Sequence, residues 1–218
     1  MIDAFYFNRR SGILVFRSPT LKKNLLWYEI GKEKIEDYIR GIREVQGKGW
    51  KITGTTTDGK PGVIPAIEKE GIPAQMCHFH QTQIVTRYIT QRPRLEASIE
   101  LKEIMLRLKM TDKESFEYWI QEWREKWSDF LNEKTFNPIT KRKHFTHTRL
   151  RKAYRSVLRH MPNLFTFLRN QDIPNTTNSL DGTFSHLRDK LRIHRGLRHR
   201  RKIKLIEELL NYPHQNVH

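Results

Sequence analysis

The hydrophobic pattern of this chain changes period once, near residue 80, and that change limits the folds open to it. Before it, apolar residues come in short β-branched and aromatic runs; after it, they recur every three to four positions. Short runs of the first kind predict strands, and a spacing of three to four predicts helices with one buried face. A-F-Y-F (4–7) and I-L-V-F-R (13–17), joined by N-R-R-S-G, read as a hairpin, and N-L-L-W-Y-E-I (24–30) reads as a third strand. Over 32–45 the spacing of Ile35, Ile39, Ile42 and Val45 predicts a helix, which Gly47 and Gly49 stop. W-K-I-T-G-T-T-T (50–57) predicts a fourth strand ending at Asp58-Gly59. A short helix ending at Gly71 follows, then a fifth strand over I-P-A-Q-M-C-H-F-H (72–80). Strands and helices in this order predict an α/β core.

From about residue 81 to 170 the strand signal disappears. Leu101, Ile104, Met105 and Leu108 share one helical face. Phe116, Trp119, Trp123, Trp127 and Phe130 continue that spacing, and Leu150, Tyr154, Val157, Leu158 and Met161 repeat it. These are amphipathic helices, and their aromatic stripe reads as core rather than as a base-stacking surface. Two further helices, 184–191 and 202–210, flank a basic joint around Gly196. The expected organisation is a first core part (1–80), an all-helical insertion (81–172) and a core completion (173–218).

Lys and Arg total 41 against 24 Asp and Glu, a formal charge of +17. A surplus of that size favours a polyanionic partner, most often nucleic acid. The positive charge is densest at Lys190, Arg192, Arg195, Arg198, Arg200, Arg201, Lys202 and Lys204, which we read as phosphate contacts. Arg149, Lys152, Arg155 and Arg159 lie off the apolar stripe of their helix, which fits either a solvated face or phosphate contacts. No base-reading motif is visible. The single cysteine, Cys77, excludes an intrachain disulfide and fits a reducing cytoplasm. No secretion signal opens the sequence, and runs such as I-L-V-F are too short to span a bilayer. No membrane and no small-molecule substrate is therefore expected.

In so basic a chain, three acids stand at telling places. Asp3 falls at the start of the first strand, Asp58 where the fourth ends, and Asp181 at the start of a late helix. Each has a plain explanation: a polar residue near a terminus, an Asp-Gly turn, and a helix cap three residues after Asn178. Taken together they suit a metal site. Acids on neighbouring strand ends, with one from a packed helix, can hold two divalent cations about 4 Å apart, and Mg²⁺ wants hard oxygen ligands.

Four blocks then carry a resemblance: M-I-D-A-F-Y-F-N, T-T-T-D-G-K-P-G, M-C-H-F-H-Q and N-T-T-N-S-L-D-G-T-F. In order and spacing they look like the core of bacterial Mutator-type (MULE-like) DDE insertion-sequence transposases. That pattern is first acid, second acid, C-x-x-H, a long helical insertion, then T-N-x-x-acid. The resemblance implies an α/β, ribonuclease-H-like mixed sheet with an all-helical insertion before the last catalytic helix. It implies metal-dependent cleavage and joining of DNA strands, with two Mg²⁺ ions for which Mn²⁺ substitutes. It puts the catalytic and metal-binding acids on Asp3, Asp58 and Asp181, with Cys77, His80 and Asn178 as active-site motif residues. Its partners would be element ends and target DNA, in a homo-oligomer assembled on the nucleoid in the cytoplasm.

Two departures qualify it. The third acid is usually Glu, and Asp181 is shorter by one methylene, about 1.5 Å; Glu207 is the alternative acid. The family also carries an N-terminal DNA-binding region ahead of the first acid, whereas Met1 stands two residues from Asp3, so a truncated frame is expected. Rival readings are a non-catalytic DNA-binding remnant and a ribonuclease-H-like nuclease without strand transfer. A zinc site at Cys77, His78 and His80 lacks a second ligand pair; His144 and His147 are the nearest histidines. A Cys–His nucleophile lacks the geometry of a triad.

Overall fold

A computed structural model describes residues 1–211. Strands β1 (Ile2–Tyr6), β2 (Gly12–Ser18) and β3 (Lys23–Ile30) form an antiparallel sheet in the order β1-β2-β3. After α1 (Ile35–Gly47), strands β4 (Thr55–Thr57) and β5 (Ala74–Met76) pair in parallel across α2 (Val63–Lys69). Parallel neighbours need such a crossover, because a tight turn cannot reverse the chain twice. β1 lies beside β4, which sets the parallel pair against the antiparallel sheet.

β2 explains the layering. Its residues alternate between two cores, as a period of two requires. Leu14 and Phe16 pack with Tyr38, Ile42 and Val45 of α1. Ile13 and Val15 pack with Met1, Phe5 and the apolar faces of α8 (Asn178–Ile193) and α9 (His199–Asn211). The strand is therefore apolar along its whole buried length, as a sheet covered on both faces requires. α1 approaches β2 through Gly41, where an added Cβ would lie 2.0 Å from Phe16 Cζ.

The helical block comprises α3 (His78–Ile89), α4 (Glu96–Arg107), α5 (Lys113–Lys126), α6 (Ser128–Asn132) and α7 (Thr148–Leu164). Leu101, Met105, Leu108, Phe116, Trp123, Leu150 and Val157 enter the main core, so the aromatic stripe is core as expected. Trp119, Trp127 and Phe130 pack against it part-buried, whereas Leu158 points away and is exposed.

Three expectations change. The fifth strand shrinks from 72–80 to Ala74–Met76, because Cys77 caps α3 and His78 opens it. The fourth shrinks to Thr55–Thr57. The insertion is not all helical: β6 (Lys134–Asn137) and β7 (Arg142–Phe145) form an antiparallel ribbon inside it. Its residues are exposed or half-buried, so no apolar alternation announced it. No described helix is long and apolar enough to cross a membrane.

Candidate metal centre

On β1, Asp3 shares a face with Met1 and Phe5, since side chains alternate. That is the face α8 covers, with Leu180, Phe184 and Leu187 inserted between β1 and β2 residues. Asp181 follows Leu180 in the first turn of α8, so packing this helix brings its carboxylate to Asp3. From a third direction comes His80, in the first turn of α3. Backbone bonds tie these starts together: Cys77 N–H donates to Thr57 O, and His78 N–H to Asn175 O, both at 2.9 Å. Ligand atoms of Asp3, His80 and Asp181 all lie within 4.8 Å of one another.

Asp58 stands just outside that set, at the end of β4. Its Oδ1 accepts the Lys60 N–H at 3.2 Å and the Thr57 hydroxyl at 3.3 Å. The turn needs glycine at 59, where φ is +79° and a Cβ would lie 2.3 Å from Met76 Sδ. Asp58 is close enough to act on Asp3 through its charge. Burial, then the Asp58 charge, with a smaller push from Asp181, drives the Asp3 carboxyl up to about 7. Asp3 is only 6% exposed, and Ala4 N–H donates to its Oδ1 at 2.8 Å.

His80 carries the compensating charge. Burial opposes its protonation, but Cys77 and then the charges of Asp3 and Asp58 outweigh burial and raise it to about 9. Burial likewise opposes the Cys77 thiolate, and bonds from His80 and Thr177 overcome it, so the thiol is lowered. At neutral pH the centre thus holds an imidazolium among carboxylates.

Thr177 joins the parts. Its hydroxyl donates to Asp181 Oδ2 at 3.3 Å and lies 3.4 Å from both His80 Nδ1 and Cys77 Sγ. Sequence reasoning expected Asn178 and its neighbours to cap this helix, with Asn178 as a motif residue; the buried neighbour Thr177 is the N-cap, and Asn178 is the exposed first residue of α8. Thr177 O accepts the Asp181 N–H at 3.1 Å, while its side chain turns to the site. The signal was present in T-T-N, since threonine is a common N-cap.

The other candidates lie apart. Glu207, on α9, is not a member of the cluster. Lys190 and Arg192 are on α8, Arg195 and Arg198 between the helices, and Arg200, Arg201, Lys202 and Lys204 on α9. All are exposed except Lys190 and Lys202, which are half-buried. His147 stacks on Phe130 and bonds Glu133 at 2.8 Å.

The donor set suits a hard divalent cation. Two carboxylates converge with a third beside them, and burial, followed by the Asp58 charge, raises the Asp3 carboxyl to about 7. The residues whose ligand atoms converge are Asp3, His80 and Asp181, with Asp58 next to them, and His80 can serve as a ligand only in its neutral form.

A sequence model described as Transposase IS66 family matches residues 15–181, well over half of the chain. The match takes in Asp58, Cys77, His80, Asn178 and Asp181, while Asp3 and the basic residues from Lys190 onward lie outside it. It supports an insertion-sequence DDE transposase and does not extend to the Mutator-type likeness. No curated protein and no solved structure matches the chain.

Proposed function

The chain belongs to the IS66 transposase family, and from that premise we propose that it is a transposase catalytic domain whose acids are Asp3, Asp58 and Asp181. The observation that carries this reading is the convergence of Asp3 from β1 and Asp181 from α8 on one point, 178 positions apart in the chain, with Asp58 beside them. The α/β order and the sheet β1-β2-β3 beside β4-β5 support a ribonuclease-H-like core over 1–80 and 173–218, with 81–172 inserted.

In this reading the three carboxylates hold two Mg²⁺ ions, or Mn²⁺, which supply Lewis-acid stabilisation of the attacking and leaving phosphodiester oxygens. The protein's own residues do the positioning. Thr177 orients the Asp181 carboxylate and the His80 ring at once. The His80 charge offsets carboxylate repulsion while the site awaits its cations. The exposed cations from Lys190 to Lys204 hold the DNA backbone. Water opens a phosphodiester at an element end, and the freed 3′-hydroxyl attacks target DNA in the same site. Paired ends call for self-association of the chain on DNA, in the cytoplasm.

The test is Mg²⁺- or Mn²⁺-dependent nicking of supercoiled plasmid. The parent chain and Glu207→Gln are expected to nick, and Asp58→Asn and Asp181→Asn to lose activity by at least two orders of magnitude. Salt-sensitive DNA binding by all four with no metal-dependent nicking by any would overturn the catalytic reading and mark a DNA-binding remnant.

A further inference from the structure

The β6–β7 ribbon has no core of its own and presents most of its surface to solvent. A two-stranded ribbon is only marginally stable in water alone. Its base is therefore tied down. Arg151 lies over the Phe145 ring at 3.6 Å, the Thr135 and Thr146 hydroxyls bond at 2.7 Å, and Thr146 N–H donates to Glu133 O. Beyond that base its own ladder, Lys134↔Phe145 to Asn137↔Arg142, is what holds it among the described residues.

The tip is ordered and apolar. Asn137 Oδ1 accepts both the Ile139 N–H at 2.9 Å and the Thr140 N–H at 3.1 Å, an Asx-type turn that needs no neighbour. Lys141 closes it with φ +52°. The turn holds Pro138 and Ile139 outward, and Ile139 is 90% exposed, the most of any large hydrophobic among the described residues. An isoleucine kept in water by a formed turn gains nothing for the fold. Around it the charge is of one sign: Lys134, Lys141, Arg142 and Lys143, with no acid anywhere from 134 to 145. The cationic residues Lys152 and Arg155 follow on α7, immediately after the ribbon.

We propose that this ribbon is a DNA-bending arm: Lys141, Arg142 and Lys143 clamp backbone phosphates while Ile139 wedges between base pairs from the minor groove. It rests on DNA being the substrate, as proposed above. Charge complementarity selects a polyanion. The tip selects the groove. Ile139 and Pro138 offer no side-chain donor or acceptor to read base edges, which is the work of the major groove, whereas apolar wedges of this kind enter from the minor groove and unstack a step. A bend at the target would open the backbone around one phosphodiester for the acid cluster.

The experiment uses the full chain on a 60-base-pair duplex carrying end-attached fluorophores, read in EDTA so that no cleavage contributes. The parent is expected to bend the duplex by about 20–90°. Ile139→Ala, a change at an exposed position with little effect on folding, is expected to abolish most of the bend while the salt dependence of binding stays the same. Lys141→Gln/Arg142→Gln/Lys143→Gln is expected to lower the slope of log affinity against log salt by about 3. An unchanged bend in Ile139→Ala overturns the wedge, and an unchanged slope in the triple variant overturns the clamp. A change in sedimentation of the triple variant without DNA, with its DNA slope intact, would make the ribbon a contact between copies of the chain and also overturns the proposal. Bending in EDTA is independent of nicking, so this result and the catalytic one fail separately.

Discussion

Replacing Asp3 with Asn should stabilise the metal-free protein, and by more at pH 8 than at pH 5. In the fold, burial and then the Asp58 charge move the Asp3 carboxyl from its ordinary 3.8 to about 7. The folded chain therefore binds a proton that the unfolded chain has lost, and stability falls as pH rises from about 4 to about 7. Each pH unit inside that window costs about 1.4 kcal/mol. The penalty is about 2 kcal/mol at pH 5 and about 4 kcal/mol at pH 8. Asn has the shape of Asp, retains an oxygen for the Ala4 N–H, and carries no charge. Whatever the amide costs in packing is the same at both pH values, so the difference between them isolates the electrostatic term. That difference, about 2 kcal/mol, corresponds to a Tm advantage widening by about 4–8 °C for a chain of this size. The assay is thermal unfolding of both proteins in EDTA at constant ionic strength. A Tm difference that stays flat or narrows between pH 5 and pH 8 would refute the argument that burial and the Asp58 charge together hold the Asp3 carboxyl high. Mg²⁺ at pH 8 should then raise the Tm of the parent well above its effect on the variant, since a bound cation relieves the same repulsion.

Two further outcomes follow from the same geometry. The His80 ring should titrate near 9 by NMR and move down in Asp3→Asn, which removes one of the charges holding it up; its contribution to stability is full below about 6.5 and lost as pH rises through about 9, so titration near 6.5 would remove it from the cluster. Gly41→Ala should lower stability by about 1–3 kcal/mol, because its Cβ would meet the Phe16 ring, and Phe16→Leu should restore part of the loss; an unaltered Tm in Gly41→Ala would contradict the packing of α1 on β2.

Elements whose sequence pattern comes from burial were legible, and those whose pattern does not were missed. β2 was legible because both its faces are covered, which leaves the run I-L-V-F. α5 was legible because Phe116, Ile120 and Trp123 must reach one core. β6 and β7 bury almost nothing, so K-T-F-N and R-K-H-F carry no alternation to read. The overlong fifth strand has a different cause. M-C-H-F-H suits a strand locally, but the chain turns at Cys77, where its N–H bonds Thr57 and the next N–H bonds Asn175. Those partners lie 20 and 97 positions away, beyond any local rule.

The site divides the same way. Asp181 was picked out by its place three residues after Asn178 and by the N-T-T-N-S-L-D block, while the face that carries it to Asp3, made of Leu180, Phe184 and Leu187, begins before the 184–191 helix the sequence suggested. The Thr177 cap was legible in T-T-N, but the role of its hydroxyl was not, because a capping rule looks only to the helix and this hydroxyl serves Cys77, His80 and Asp181. What no count of residues could show is the local reversal of charge. A chain of +17 brings two carboxylates together with a third close by, and the His80 imidazole, whose pKa is raised, lies with them. The densest run of lysines and arginines begins at Lys190, in the last turn of α8, whereas Asp181 sits in its first turn. In the proposed function a phosphate backbone would be held by the outer cations while its reacting oxygens met divalent cations at the acids, the separation that strand cleavage needs.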